Sequence, residues 1–270
     1  MMVGRPRRSA DFVEALARGL EVLRSFGPTS MEMTVSEVAT RTGLARPTVR
    51  RLLMTLEELG YLRCDDGAYS LTTKVLELGT AGIAVQGMWD IARPHLRALV
   101  ARTGESSSMS QLQGSDIVYT ARVAVPKIIA LAVTIGTRFP AVATSMGHVL
   151  LADLDTAELD AVLAIPSQSG IIARIQPTRA ELEHDLASVR DRGWALSDER
   201  LSASIRSIAA PVRDGRGRTM AAVNVTVHAA ETSIEHLTEV YLPMLLDTAA
   251  AISTEWCDLA GLPTEQHRAE

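Results

Sequence analysis

The polar groups best placed for binding chemistry lie where a loop turns into a helix near residue 145. The segment ATSMGH at residues 143–148 follows IGTRFP at residues 135–140 and opens a helical pattern. Backbone amides at a helix start lack partners within the helix and lie at the positive end of its dipole, so the amides at Ser145 and Met146 favour a carboxylate. Ordinary capping by Thr144 or Ser145 is the competing interpretation.

Other side chains could complete a site for a small organic acid. Asn224 and Thr226 alternate with valines and therefore share one face of a predicted strand. Further candidates are Arg122 and Arg138 as charge partners of the acid, and Met109, Met146 and Phe139 as a soft apolar wall for a ring. Solvent exposure of the same polar side chains is the competing interpretation.

The sequence contains no catalytic or metal-binding pattern. The six histidines form no pair at ligand spacing, and Cys64 and Cys257 each stand alone. The segment GRGR at residues 215–218 lacks the glycine spacing of a dinucleotide loop, and no Gly-x-Ser-x-Gly motif occurs. We therefore expect no enzyme activity, no cofactor and no metal.

A second kind of chemistry is indicated by the exposed side of a helix predicted from Pro47 to Leu59. Its apolar residues fall on one face, and basic and hydroxyl side chains lie on the other. Such side chains suit phosphate and base-edge contacts in a DNA major groove. The candidate DNA contacts come from this helix, from the connection before it and from the strand after it. They are Arg46, Pro47, Thr48, Arg50, Arg51, Thr55 and Arg63.

The elements around this helix form a recognisable unit. A first amphipathic helix spans Asp11 to Phe26, and the sequence TVSE at residues 34–37 is a capping box for a short second helix that ends at Gly43. After the third helix, an Asp-Gly pair at residues 66–67 separates two strand-like runs and predicts a hairpin. Three helices and a hairpin predict a winged helix-turn-helix.

The rest of the chain predicts a larger α+β domain with a mainly antiparallel sheet. Strands are expected at residues 106–113, 117–123, 128–135, 205–212 and 220–228, and helices at 144–151, 156–165, 178–192 and 233–259. Helices over 74–86 and 88–103 connect the two parts. The first is either a dimer contact or packs on its own domain, and Pro94 either kinks the second or marks its first turn.

The length and the charge distribution of the chain agree with a regulator made of two domains of unequal size. The chain has 270 residues and a net charge of −5, yet its first 80 residues carry 11 Lys and Arg against 10 Asp and Glu. No apolar run reaches the length of a membrane helix, and the basic N-terminus is followed by no signal-peptide core. We expect a cytoplasmic protein without a membrane partner.

The stretch LARPTVRRLLMTLEELGYL at residues 44–62 closely resembles the IclR-type regulators. The stretch DFVEALARGL at residues 11–20 resembles the start of their branch that controls aromatic-acid catabolism through the β-ketoadipate pathway. The resemblance implies a winged helix-turn-helix DNA-binding domain at residues 1–73, a helical linker at 74–87, a GAF- or profilin-like effector domain at 88–262 and a tail at 263–270. It also implies effector contacts at Ser145, Met146, Asp198, Ser207, Asn224 and Thr226.

Three positions depart from similar regulators: Arg200 replaces a usual glutamate, Ser204 a common glycine, and His148 a frequent Arg or Lys. The expected function is a DNA-binding transcription regulator controlled by a small organic acid of the protocatechuate, 4-hydroxybenzoate or β-ketoadipate type. We expect it to bind a palindromic operator as a homodimer or homotetramer. The alternative is a small-molecule-binding or catalytic α+β domain whose helix-turn-helix serves only as a protein contact.

Overall fold

The computed structural model describes residues 11–27, 30–75, 77–78, 88–126 and 133–260, and these fall into two compact units that divide between residues 85 and 86. The N-terminal unit contains, in chain order, α1 (Glu14–Ser25), β1 (Glu32–Thr34), α2 (Val35–Thr42), α3 (Arg46–Glu58), β2 (Leu62–Asp65) and β3 (Ala68–Leu71). Buried side chains from all three helices and the strands form its core, including Val22, Val38, Val49, Leu53 and Tyr69.

The boundaries of α2 follow from local chemistry. The Thr34 amide donates to the Glu37 carboxylate over 2.7 Å, and the Glu37 amide donates to the Thr34 hydroxyl over 3.4 Å, which is the predicted capping box. The Thr34 amide and the Thr34 hydroxyl both donate to the Glu37 carboxylate, and these two hydrogen bonds lower the pKa of Glu37. Gly43 ends the helix with a φ of 68°, a left-handed conformation that glycine adopts without steric cost.

The hairpin is a wing with a two-residue turn. Asp65 pairs with Ala68, so Asp66 and Gly67 form the turn, and both have a positive φ, at 48° and 82°. This is the geometry that favours an Asp-Gly pair. A third strand, β1, pairs antiparallel with β3 and was not predicted, because three residues carry too little alternation to be detected.

The C-terminal unit is a sheet with helices on both faces. Its elements are α4 (Met88–Thr103), β4 (Ser106–Gln113), β5 (Asp116–Val123), β6 (Arg138–Pro140), a 3₁₀ turn (Ala141–Ala143), α5 (Ser145–Ala152), α6 (Thr156–Leu163), α7 (Arg179–Arg192), β7 (Ala195–Asp198), β8 (Ile205–Arg213), β9 (Thr219–His228), α8 (Ile234–His236), a π-helical turn (Leu237–Tyr241) and α9 (Leu242–Ala260). The strands are ordered β6-β5-β4-β9-β8-β7 and all neighbours are antiparallel.

Each face of the sheet has its own core. Helices α4 and α9 pack on one face against residues such as Met109, Val223 and Val225. Helices α5 and α7 pack on the other against Ile117 and Ala222, among others. Alternate residues of one strand therefore belong to opposite cores, as the two-residue period of a strand requires.

The predicted α+β class and antiparallel sheet are confirmed. Pro94 lies well inside α4 rather than in its first turn. The predicted final helix is present but interrupted by the π-helical turn, and the short strands β6 and β7 were not predicted. The predicted helix over 74–86 and strand over 128–135 lie largely outside the described residues.

Candidate functional site

The exposed side of α3 presents a row of basic and hydroxyl side chains. Arg46, Pro47, Arg50, Arg51 and Thr55 are exposed, and Thr48 is half-buried, whereas Val49, Leu53 and Leu56 lie in the core. The helix begins at Arg46, its N-cap residue Ala45 makes no side-chain cap, and Pro47 lies in its first turn. Arg63 on the wing is exposed, and its Nε donates to the Ser70 hydroxyl over 2.9 Å.

The start of α5 is fully buried and tightly constrained. Thr144 caps the helix by accepting from the Gly147 amide over 3.0 Å, so the predicted capping interaction is present. A Cβ on Gly147 would lie 2.0 Å from the Ala141 carbonyl oxygen, which explains why glycine is needed there. Within the described part of the chain, the amides of Ser145 and Met146 have no hydrogen-bond acceptor.

A cavity opens between this helix start and the sheet, with about 790 Å³ of space that includes its opening to solvent. Six predicted effector residues line it: Arg122, Ser145, Met146, Ser207, Asn224 and Thr226. The full wall consists of Glu105, Ser106, Tyr119, Arg122, Val125, Val133, Ala143, Thr144, Ser145, Met146, Ser197, Leu201, Ile205, Ser207, Asn224, Thr226, Val227 and His228. Hydroxyl groups predominate among its polar side chains, and a guanidinium, a carboxylate, a carboxamide and an imidazole complete them.

Hydrogen bonds hold the polar side chains of the cavity wall in place. The hydroxyls of Ser145 and Ser207 lie 2.8 Å apart and join α5 to β8. On β9, the Asn224 side chain accepts from the Ser108 amide over 3.0 Å and donates to the Thr226 hydroxyl over 2.9 Å. Asn224 is thus a linker between neighbouring strands as well as part of the cavity wall, because its amide bridges β4 and β9.

Tyr119 and Arg122 share the cavity wall although they are three residues apart, a spacing that should place them on opposite faces of β5. The register explains this: Met109 pairs with Ala121 but Ser110 pairs with Tyr119, so Thr120 is an extra residue in a β-bulge. The bulge shifts the alternation by one residue and turns Tyr119 toward α5.

Burial sets the electrostatics of this wall. It raises the pKa of Tyr119 to about 12, so the phenol stays protonated and can donate a hydrogen bond. Burial also lowers the pKa of Arg122, an effect that Tyr119 partly opposes, but an arginine remains charged at neutral pH. The Arg122 guanidinium donates to the Ser108 hydroxyl over 3.1 Å, which leaves other N–H groups for a ligand.

Behind the cavity, His148 lies buried in the first turns of α5. Its Nε2 is 2.9 Å from the Val142 carbonyl oxygen, so the N–H lies on that nitrogen. Burial lowers the pKa of His148, and the hydrogen bond to Val142 opposes this shift. The neutral imidazole therefore hydrogen-bonds the 3₁₀ turn before α5 to the helix itself.

Three predicted effector residues do not line the cavity. Asp198 follows Ser197 on β7 and so faces the other way, where it accepts from Arg206 over 2.7 Å. Arg138 on β6 is ion-paired with Asp116 and hydrogen-bonded to Gln113. Met109 belongs to the core under α4 and α9, on the opposite face of the sheet.

Several wall residues were not predicted. Tyr119 was hidden by the bulge, and Ser197 lies on a strand too short to be detected. Phe139 does not line the cavity, but it supports Tyr119 through an edge-on contact with ring centroids 5.6 Å apart. Alternation could have identified Ser106, which pairs with Thr226 across the β4–β9 ladder and lies on the same face as Asn224.

A loop with unusual backbone geometry borders the cavity between β7 and β8. Leu201 of this loop contributes to the wall, and the flanking Glu199 and Ser204 adopt positive φ angles of 51° and 65°. The Glu199 carboxylate accepts from the Ser204 amide over 2.9 Å and holds this conformation. The left-handed geometry accounts for a glycine being suited to position 204.

Metal and membrane sites are both absent from the described residues. No group of three or more His, Cys, Asp or Glu side chains there could hold a metal ion. No helix in this part of the chain is long and apolar enough to cross a bilayer.

Comparison with known proteins gives matches over both units. The model of the IclR helix-turn-helix domain matches residues 15–66, and that of the bacterial transcriptional regulator IclR C-terminal domain matches residues 81–254. The Pca regulon regulatory protein of Pseudomonas putida is 36% identical over 87% of this chain and 81% of its own length. The p-hydroxybenzoate hydroxylase transcriptional activator of Acinetobacter baylyi is 33% identical over 90% of this chain and 91% of its own.

A solved structure resembles the C-terminal unit. It is the complex of a double mutant of the PobR transcription factor inducer binding domain from Acinetobacter with 3-hydroxybenzoic acid. The two chains are 28% identical with a TM-score of 0.54, and the match covers 61% of this chain and 97% of that one.

Proposed function

The chain belongs to the IclR family of bacterial transcriptional regulators, and we propose that its effector is an aromatic carboxylate held in the cavity at the start of α5. The protein is a DNA-binding transcription regulator rather than an enzyme. Its helix-turn-helix domain binds DNA, and its C-terminal domain binds a small molecule. The effector class and the residues that make each contact are the subject of the proposal.

One observation carries the effector proposal. Ser145 and Met146, whose amides have no acceptor among the described residues, line a cavity whose wall also holds Arg122, so a carboxylate there could meet both unpaired donors and a cation. The amides and the Ser145–Ser207 hydroxyl pair would receive the carboxylate, and Arg122 would offset its charge. Glu105 also lines the wall and would repel an anion, so we place the carboxylate at the α5 end.

The remaining groups suit a hydroxylated ring. Met146, Val133 and Leu201 supply apolar surface, and Asn224, Thr226 and the protonated Tyr119 offer hydrogen bonds to ring hydroxyls. The related proteins support this choice: one is named for p-hydroxybenzoate hydroxylase activation, and the other structure holds 3-hydroxybenzoic acid. Benzoates with one or two ring hydroxyls, 4-hydroxybenzoate and protocatechuate among them, are the ligand class that we propose.

A thermal-shift screen tests the effector class. A ligand that binds only the folded protein raises its melting temperature by an amount set by concentration over Kd. Hydroxybenzoates should raise the melting temperature, and the matched benzamides and benzyl alcohols should do so much less. The Asn224→Ala, Thr226→Ala double variant should lose the response while keeping its fold. A response to neutral sugars or nucleotides, without one to organic acids, would overturn the proposal.

For DNA, we propose that α3 enters the major groove, with Arg46, Thr48, Arg50, Arg51 and Thr55 contacting DNA and Arg63 reaching the backbone from the wing. All of these side chains are exposed except the half-buried Thr48, which supports this arrangement. A bacterial regulator that binds DNA in the cell would act in the cytoplasm, and this location is part of the proposal.

Self-association is part of this proposal, since one winged domain has a small footprint and a symmetric pair would read a palindrome. The outer side of α1 and the residues just before it support it: Leu16 and Leu20 on the helix are 63% and 48% exposed, and Phe12, four residues before Leu16, is 43% exposed. Apolar residues at this spacing form a stripe that a second copy could cover. A strictly monomeric mass by light scattering at micromolar concentration would contradict it.

A further inference from the structure

Tyr119 carries the one hydroxyl of the cavity wall that makes no hydrogen bond within the described part of the chain. Each of the other wall hydroxyls is engaged with the protein. Ser145 and Ser207 bond to each other, Ser106 accepts from the Val125 amide, Ser197 donates to the Ala143 carbonyl oxygen, Thr144 caps α5, and Thr226 accepts from Asn224. A buried polar group without a partner calls for an explanation, and on a cavity wall a ligand supplies one.

The Tyr119 side chain is held in its place at the cavity. It is 7% exposed, and its ring makes the edge-on contact with Phe139 at 5.6 Å between centroids. The Tyr119 amide donates to the Thr137 carbonyl oxygen over 2.9 Å, and its own carbonyl oxygen accepts from the Gly136 amide over 2.8 Å. Since both the backbone and the ring are fixed, the hydroxyl does not swing out to bulk water when the cavity is filled.

This hydroxyl is a hydrogen-bond donor that needs an acceptor from the ligand. Burial raises the pKa of Tyr119 to about 12, so the phenol keeps its proton at neutral pH. Arg122, the charged group that acts on the phenol from the same wall, has five N–H donors and no acceptor. The guanidinium therefore cannot satisfy the phenol, and an oxygen atom of the bound molecule must do so.

The sheet order places Tyr119 away from the groups that we propose for the carboxylate. Ser207 lies on β8 and Tyr119 on β5, with β9 and β4 between them. Neighbouring strands are about 4.8 Å apart, so three strand spacings separate these two backbones by about 14 Å. A benzoate whose carboxylate is received at Ser145 and Ser207 therefore directs the far side of its ring toward β5. The oxygen that Tyr119 meets there is a ring hydroxyl.

We infer that Tyr119 selects the effector by its ring hydroxyl: the phenol donates to the hydroxyl oxygen of a bound hydroxybenzoate, and an acid without that oxygen leaves the phenol buried and unpaired. The inference rests on the proposed effector class and adds the residue that discriminates within it. A donor that loses water and gains no partner lowers affinity by about 5- to 150-fold. A pocket with such a donor rejects the analogue that lacks the acceptor far better than an apolar pocket can.

Calorimetric titration of the full chain with benzoate, 3-hydroxybenzoate and 4-hydroxybenzoate tests the inference. The native protein should bind the tighter of the two hydroxybenzoates about 5- to 150-fold more strongly than benzoate. In Tyr119→Phe, which keeps a ring against Phe139, this ratio should fall to within about twofold, because benzoate no longer leaves a donor unpaired. Tyr61→Phe, which removes a hydroxyl from the N-terminal unit, is the matched control and should keep the native ratio.

The ratio of two dissociation constants measured on one protein is independent of how much of that protein is folded, so a loss of stability in Tyr119→Phe does not alter it. A native ratio retained by Tyr119→Phe would overturn the inference and leave the effector proposal standing. If the variant lost affinity equally for all three acids, Tyr119 would contact the carboxylate instead, which equally overturns the inference. A native protein that binds none of the three acids would overturn the effector proposal, and this inference with it.

Discussion

At the scale of single residues, the DNA proposal depends most on Arg51, which is exposed on α3 opposite the buried Val49 and Leu53. Arg51→Ala should weaken operator binding. Loss of a phosphate contact should flatten the dependence of log K on log salt by about one unit, and loss of a guanine contact should cost about 1–3 kcal/mol only at sites with that base.

Fluorescence anisotropy over a salt series distinguishes the two cases. Arg97→Ala, a change at an exposed arginine on α4 in the other unit, is the matched control and should leave the affinity unaltered. If Arg51→Ala bound the operator with unchanged affinity, α3 would not be the helix that recognises DNA.

His148 should make stability depend on pH. Burial lowers its pKa in the folded state, so the unfolded state takes up the proton first as the pH falls through its ordinary value near 6.5. The stabilisation from neutral His148 is complete above that value and is lost as the pH falls toward the folded-state pKa.

The melting temperature should therefore drop more steeply between about pH 7.5 and about pH 5.5 in the native protein than in His148→Gln, which keeps a donor for Val142 but does not titrate. Parallel pH profiles for the two proteins would show that His148 does not contribute.

Residues of the site were predictable from the sequence where a regular period placed them. Asn224 and Thr226 alternate with valines and do share the cavity face. The two-residue period of a strand did not predict the orientation of Tyr119, because the bulge at Thr120 has no sequence signal. The position of Arg138 depends on its partner Asp116, which only the folded sheet brings close.

At the scale of elements, α5 determines the site, and Gly147 determines how closely α5 approaches the turn before it. Gly147→Ala would place its Cβ against a backbone carbonyl that cannot swing away, so the free energy of unfolding should fall by about 1–3 kcal/mol or more. The ligand-induced melting shift should fall with it, because the amides of Ser145 and Met146 would move.

Gly19→Ala on α1 is the matched control for this prediction. A methyl group added at Gly19 would meet no atom within 4 Å, so the change should stabilise the helix by about 0.5–1 kcal/mol. Urea denaturation followed by circular dichroism measures both variants. A Gly147→Ala protein as stable as the native one would show that the close approach is not needed.

Elements with strong local signals were predicted well, and short ones were not. Helices α2 and α7 each begin at a capping box and end at a left-handed glycine, and both signals depend on neighbouring residues in the sequence. Strands β1, β6 and β7 have three or four residues each and form because a neighbouring strand offers free backbone groups. Such pairing is a tertiary effect that a periodicity cannot reveal.

At the scale of the whole molecule, the chain separates its two tasks between two units. In our proposal, the exposed basic side chains on α3 contact DNA, and the cavity between α5 and the sheet holds the effector. A regulator must couple the two sites, and such coupling is a free energy of about 1–3 kcal/mol, or roughly a 5- to 150-fold change in affinity.

The most direct measurement is therefore an operator titration with and without 4-hydroxybenzoate. An operator would first be selected from random DNA with the purified protein and then titrated by fluorescence anisotropy. We expect the acid to change the Kd of the native protein by at least about fivefold, and to leave the Asn224→Ala, Thr226→Ala variant bound to the same DNA without a response. Selection of no operator, or an identical acid response in both proteins, would contradict the account.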